Sequence, residues 1–172
     1  DLELSLPKGS IVGLLGRNGE GKTTLLKNLY GQLFSKEGEV DVLGFIPRER
    51  KVAFLQQVYM LPEEIHVPQM TIRRYFDLSA PFYPTYDEAV AQELIDVFGL
   101  DWKMDLKKIS QGQKKKALIA FALALRVPLL LLDEPTNGLD IPSKGEFRRA
   151  VARYLGEDQT LVISTHQVRD LE

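Results

Sequence analysis

Residues 16–23 read GRNGEGKT, and the residues on either side of this octet leave few folds open. Before it runs SIVGLLG, an unbroken apolar stretch of the kind that forms a strand buried on both faces. After it comes KTTLLKNLYGQLF, a basic and apolar mix at helical spacing. Strand, glycine-rich turn and helix in that order point to an α/β architecture. The glycines allow positive φ and a close backbone approach to an anion. Successive N–H groups then converge at the positive end of the helix and form a nest for phosphate. The pattern G-x-x-x-x-G-K-[ST] needs this context and has it. Gly16, Asn18, Gly19 and Gly21 form the loop. Lys22 places a cation on the terminal phosphates, the Thr23 hydroxyl can ligate Mg²⁺, and Thr24 can reach another phosphate.

The remaining residues extend the same alternation. DLELSLP, GEVDVLGF, KVAFLQQ, PLLLLDEP and TLVIST read as strands, and PTYDEAVAQELIDVFG and PSKGEFRRAVARYL as helices. A further short helix is expected from about Thr71 to Ser79. The pattern predicts a mostly parallel sheet flanked by helices, with ligands beyond the carboxyl ends of the strands. The proline- and aromatic-rich stretch after Gln57 predicts a small helical subdomain inserted between strands, over about 58–126 of a single 1–172 domain. Its aromatic cluster, YFDLSAPFYPTYDE, reads equally as that subdomain's own core or as a docking surface. The chain begins without Met and ends in VRDLE, so truncation at both ends is expected.

Composition narrows the chemistry. With 172 residues the chain can build one real core. The absence of Cys rules out disulfides and thiolate metal sites. A net charge of −2 argues against a broad basic face for nucleic acid. The longest apolar region, ALIAFALALRVPLLLL, is broken by Arg126 and Pro128, so it reads as a buried helix and strand and not as a membrane span.

Two further segments carry chemistry. LLLLDEP places Asp133 and Glu134 at the end of a buried strand. Side chains alternate along a strand, so the two acids take different jobs: Asp133 on the metal side, Glu134 on the side of the attacking water. Alone, such an ending is often no more than a strand end. In KKISQGQKKK, Ser110 and Gln113 have capping-box spacing, and that explanation is sufficient for a helix start. The same helix start is also suited to an anion. Lys114 to Lys116 are expected on the exposed side of that helix.

GRNGEGKTT, ISQGQ, LLLLDEPTNGLD and STH occur in this order and together resemble the nucleotide-binding domain of an ATP-binding cassette (ABC) ATPase, over nearly the whole chain. The resemblance implies a P-loop NTPase fold, ATP and Mg²⁺ as cofactors, and a head-to-tail homo- or heterodimer of ATPase domains. ISQGQ stands at the family's signature motif, so Ser110, Gly112 and Gln113 would face ATP held by a neighbour. Gln111 replaces a usual glycine there. Gln57 resembles the Q-loop glutamine that joins Thr23 and Asp133 around the metal, with Gln56 a rival by one position. Asp140 resembles the D-loop aspartate, and His166 the switch histidine at the γ-phosphate. Glu134, His166 and Lys22 would be catalytic. The family's adenine-stacking aromatic is missing from residues 1–15, whereas His66 reads as an ordinary surface residue. The implied role is the ATP-hydrolysing subunit of a bacterial transporter, and the wording of the insertion and of the lysine-rich helix start resembles exporter-type ATPases. It would be cytoplasmic and peripheral on the inner membrane face, coupled to a separate transmembrane subunit, with no direct nucleic-acid partner. The alternative is a soluble ABC ATPase acting on ribosome or nucleic acid.

Overall fold

The computed structural model describes residues 3–170. Four strands form one parallel sheet in the order β1-β4-β3-β2: β1 Ile11–Leu15, β2 Val58–Leu61, β3 Leu129–Asp133 and β4 Thr160–Thr165. Among the described residues six α-helices accompany it: α1 Lys22–Tyr30, α2 Val52–Leu55, α3 Ile72–Ser79, α4 Glu88–Val97, α5 Gln111–Ala124 and α6 Ile141–Tyr154. Because all strands run the same way, their carboxyl ends share one edge, and the loops after Leu15, Leu61, Asp133 and Thr165 meet there.

The leucines of β3 show why the sheet is covered on both faces. Leu129 and Leu131 pack with Leu26 and Leu29 of α1 and Phe54 of α2. Leu130 and Leu132 turn the other way, into the larger core built with α3–α6. That second core contains Phe76, Leu94 and Phe121 from the inserted helices together with Leu161 and Ile163 of the sheet. Tyr75, Tyr83 and Tyr86 line it, while Phe82 stays exposed. The aromatic cluster is therefore mainly core.

Three expected strands are different. Residues 3–7 of DLELSLP are not in a strand, and Asp1 and Leu2 lie outside the described residues. In GEVDVLGF, Leu43 (φ 56) and Gly44 (φ 79) turn the chain back at once, so Val42 and Phe45 form one antiparallel bridge and no strand. KVAFLQQ forms the single-turn helix α2, and the strand begins one residue after Gln57. The helical insertion accordingly starts after Leu61, since Val58–Leu61 is a sheet strand whose Val58, Met60 and Leu61 are buried. The helix ends agree with local chemistry. The Thr71 hydroxyl caps α3 through Arg74 N, and the Asp87 carboxylate caps α4 through Val90 N. Among the described residues no helix is long and apolar enough to cross a membrane.

Candidate functional site

The loop between β1 and α1 is shaped by Gly19 (φ 86) and Gly21 (φ 91), both in the left-handed region that an L side chain resists. Lys22 folds back over this loop and donates to the carbonyls of Gly16 (2.6 Å) and Arg17 (2.9 Å). Thr23, next on the helix, donates from Oγ1 to Asp133 Oδ2 at 2.7 Å. The loop after β1 is thus joined directly to the end of β3.

Asp133 is buried, and its second oxygen accepts from the hydroxyl of Ser164 on β4. The same Ser164 Oγ accepts from Glu134 N at 3.0 Å. Ser164 was not visible as a site residue in the sequence, although its position two before His166 in a buried strand was available. Replacing Ser164 with Ala leaves a buried carboxylate oxygen without that donor. The expected loss of stability is about 1–3 kcal/mol, measurable by denaturant unfolding.

Glu134 has left-handed backbone (φ 45), sparsely populated for a non-glycine residue. Its side chain is 4 % exposed and points between two cationic or cation-capable groups. Oε1 lies 3.8 Å from Lys22 Nζ and accepts no hydrogen bond. Oε2 lies 2.9 Å from His166 Nδ1. The tautomer follows from the neighbours. Lys144 Nζ donates to Gln167 Oε1 at 3.2 Å, which turns the amide nitrogen of Gln167 towards His166 Nε2, also at 3.2 Å. Nε2 then accepts, and Nδ1 carries the hydrogen that it donates to Glu134.

Six residues from three elements or their ends therefore meet at one edge of the sheet: Lys22, Thr23, Asp133, Glu134, Ser164 and His166. A lysine over a glycine-rich helix start, two unlike carboxylates and a histidine are groups whose chemistry suits a polyphosphate with a divalent cation. Residues 1–137 match the protein family described as "ABC transporter".

The chain belongs to the ABC transporter family.

Relatives agree with this placement. The chain is 30% identical over 173 residues to the "ABC transporter ATP-binding protein YtrB" of Bacillus subtilis, covering 100% of this chain and 59% of that protein. It is 32% identical over 178 residues to the "Bacitracin transport ATP-binding protein BcrA" of Bacillus licheniformis, covering 99% and 57%. It thus spans less than two thirds of either relative. A solved "ATP binding subunit of ABC transporter" superimposes with a TM-score of 0.87 at 25% identity, covering 98% of this chain and 73% of that one.

Not every expected residue joins this ABC site. Gln57 stands at the wrong end of the sheet. Its Nε2 donates to Ala53 O at 2.8 Å, and its carbonyl accepts from Leu129 N, the first residue of β3. Asp133 is four residues on, about 13 Å at strand rise, so the two cannot share a cation. Gln56 caps α2 and fares no better. The residue just past the carboxyl end of β2 is Glu63, whose Oε1 accepts from Asn137 Nδ2 at 2.8 Å. Reading the strand one element too early hid it.

Ser110, Gly112 and Gln113 form a separate group at the start of α5. The capping box is complete: Gln113 N donates to Ser110 Oγ at 3.1 Å, and Ser110 N donates to Gln113 Oε1 at 3.0 Å. Among the described residues no hydrogen bond joins them to the loop of residues 16–23. Asp140 caps α6, its Oδ1 accepting from Ser143 N at 2.8 Å, and bonding from Ser143 holds its carboxyl below the usual range. The three lysines after Gln113 are not one solvated run. Lys116 pairs with Glu146 at 2.7 Å, and Lys115 is buried. Burial lowers the Lys115 ammonium pKa, opposed by the carboxylates of Glu63, Glu134 and Asp133.

Proposed function

We propose that this chain is the ATP-binding and ATP-hydrolysing part of a bacterial membrane transporter. The observation that carries the reading is the Glu134 carboxylate. It is buried beside the phosphate loop, with one oxygen on His166 and the other near Lys22 but free of hydrogen bonds. An acceptor with an open lone pair at that place suits a water molecule aimed at a terminal phosphate.

The donor set fits Mg²⁺. Thr23 Oγ1 and Asp133 Oδ2 are hard oxygens 2.7 Å apart at the loop. Thr23 and Asp133 would hold the ion, and it would offset phosphate charge. The protein residues divide the remaining work. Backbone N–H groups of the loop, with Thr24, seat the phosphates, and Lys22 moves from its loop carbonyls to the terminal ones. Glu134 accepts the proton of the attacking water. The hydrogen on His166 Nδ1 keeps Glu134 aimed.

The helix start at Ser110 is preorganised, and its N–H groups and dipole favour an anion. Its separation from the chain's own phosphate loop suits a second copy or a sister domain that pairs head to tail, with Ser110, Gly112 and Gln113 on the neighbour's ATP. In this reading a separate transmembrane subunit carries the cargo, and the ATPase domain works at the cytoplasmic face. The two relatives named above carry transport-related ATP-binding names, which supports this partner.

The test is the solution mass of a Glu134→Gln variant with and without Mg-ATP. The amide retains the shape of the site and slows hydrolysis, so ATP should drive the protein from one copy to two. A full-length variant that binds ATP and stays at the mass of one copy would rule out self-pairing through ATP.

A further inference from the structure

Lys115 is the feature that the reaction described above leaves unused. It sits five residues after Ser110 on α5 and is only 8% exposed. An ammonium is costly to bury without compensation. Its neighbours Lys114 and Lys116 are less buried, and Lys116 has its own carboxylate partner. Lys115 instead reaches across to the turn after β3. Its Nζ donates to Asn137 O at 2.8 Å and to Glu134 O at 3.3 Å.

That turn is closed by Asn137 N donating to Glu134 O at 3.1 Å, and Asn137 Nδ2 is held by Glu63. Lys115 therefore binds both ends of the turn that begins at Glu134. The backbone there is the left-handed conformation that a glutamate does not adopt unaided. Ser164 fixes the N–H side of Glu134, with its Oγ at 3.0 Å and its carbonyl at 3.1 Å. Lys115 fixes the carbonyl side. A peptide unit held on both sides leaves the Glu134 side chain few directions, and the observed one ends between Lys22 and His166.

We propose that Lys115 is a positioning residue for hydrolysis. It is an ammonium strut from α5 that holds the Glu134–Asn137 turn and so aims the Glu134 carboxylate. The inference rests on the reading of Glu134 as the group facing the attacking water.

The experiment is a double-mutant cycle on the full-length protein, in complex with its membrane partner where it has one. Lys115→Met keeps the buried stem and removes the donors, and Lys115→Gln keeps one donor. Each is measured for kcat and KM of ATP hydrolysis and for affinity for a non-hydrolysable ATP analogue. Lys115→Met should lower kcat on the order of ten- to a hundredfold, with KM and analogue affinity within about twofold. Lys115→Gln should fall between it and the native protein. In a Glu134→Gln background, Lys115→Met should leave the residual rate within about twofold, because the group it aims is already gone. A native kcat in Lys115→Met, or in Lys115→Gln should the methionine variant not fold, overturns the strut. So does an equal loss in both backgrounds, or a loss seen in KM alone. A native rate in Glu134→Gln by itself overturns the reading of Glu134 and removes the basis for the strut; a low rate there with a native rate in Lys115→Met overturns the strut alone.

Discussion

Replacing Lys22 with Met is expected to abolish useful nucleotide binding while leaving the fold in place. Charge-assisted hydrogen bonds contribute roughly 1.5–3 kcal/mol each, so an ammonium shared by two phosphate groups carries a loss of affinity on the order of a hundredfold or more. Met keeps the apolar stem of the side chain, so the expected effect is one of charge and not of packing. In the structure the ammonium rests on the carbonyls of Gly16 and Arg17 and faces Glu134 at 3.8 Å. Nothing has to unfold for it to swing onto a phosphate. The check is a binding titration with a fluorescent ATP analogue, with circular dichroism as the control for folding. A thermal scan gives a second readout. Native protein should melt later as ATP is added, by mass action, and the Met variant should not respond over the same range. An affinity within a few-fold of native would mean that the terminal phosphates sit elsewhere than on this loop.

That prediction rests on residues that could be read from the sequence, and the reason is local. The octet of residues 16–23, the capping box at Ser110 and the leucine run ending in Asp133 are each fixed by short-range chemistry. Turn glycines, cap hydroxyls and continuous apolar strands mean the same thing in most tertiary surroundings. Residues 51–61 depart from the strand expected at KVAFLQQ because nothing local decides them. KVAFLQQ offers Val52, Phe54 and Leu55, which suit one helical turn as well as a strand. In the structure Phe54 is buried and Val52 is 70% exposed, the outcome of a helical turn that presents one side to the core formed with Leu129 and Leu131. VYML became the strand because it pairs with β3, a choice made by residues 68 or more positions away. Gln57 shares that ambiguity: a strand over 51–57 would put it at a carboxyl end, whereas it precedes the start of β2. Lys115 was hidden for a related reason. Three lysines at a helix start read as a solvated face, and only the packing of α5 beside the Glu134–Asn137 turn shows that one of them points inward.

The packing behind α5 gives the largest expected change in stability. Phe121 is 1% exposed and touches five aromatic rings: Phe76 at 5.0 Å between centroids, Tyr75 at 5.5 Å, Tyr59 at 5.7 Å, Tyr83 at 6.4 Å and Tyr86 at 6.5 Å. These rings come from β2, from α3 and from the segment leading into α4, so Phe121 is where the inserted helices are joined to the sheet. Phe121→Ala removes the ring from all five and leaves a cavity that α5, held at both ends, cannot easily close. The expected cost is about 3–5 kcal/mol. For a chain of this size that lowers the melting temperature by roughly 10 °C. Phe82 supplies the control: it is 71% exposed, and Phe82→Ala should shift stability by less than about 0.5 kcal/mol. Calorimetry on the pair separates burial from aromatic content. If Phe121→Ala melts like Phe82→Ala, the surrounding tyrosines have repacked, and the inserted helices are joined to the sheet mainly by the aliphatic contacts of α5. If it melts as expected, the same ring that stabilises the domain also fixes the helix that carries Ser110 at its start and Lys115 one turn further on. Variants here should then lose hydrolysis at temperatures where the phosphate loop itself is still intact.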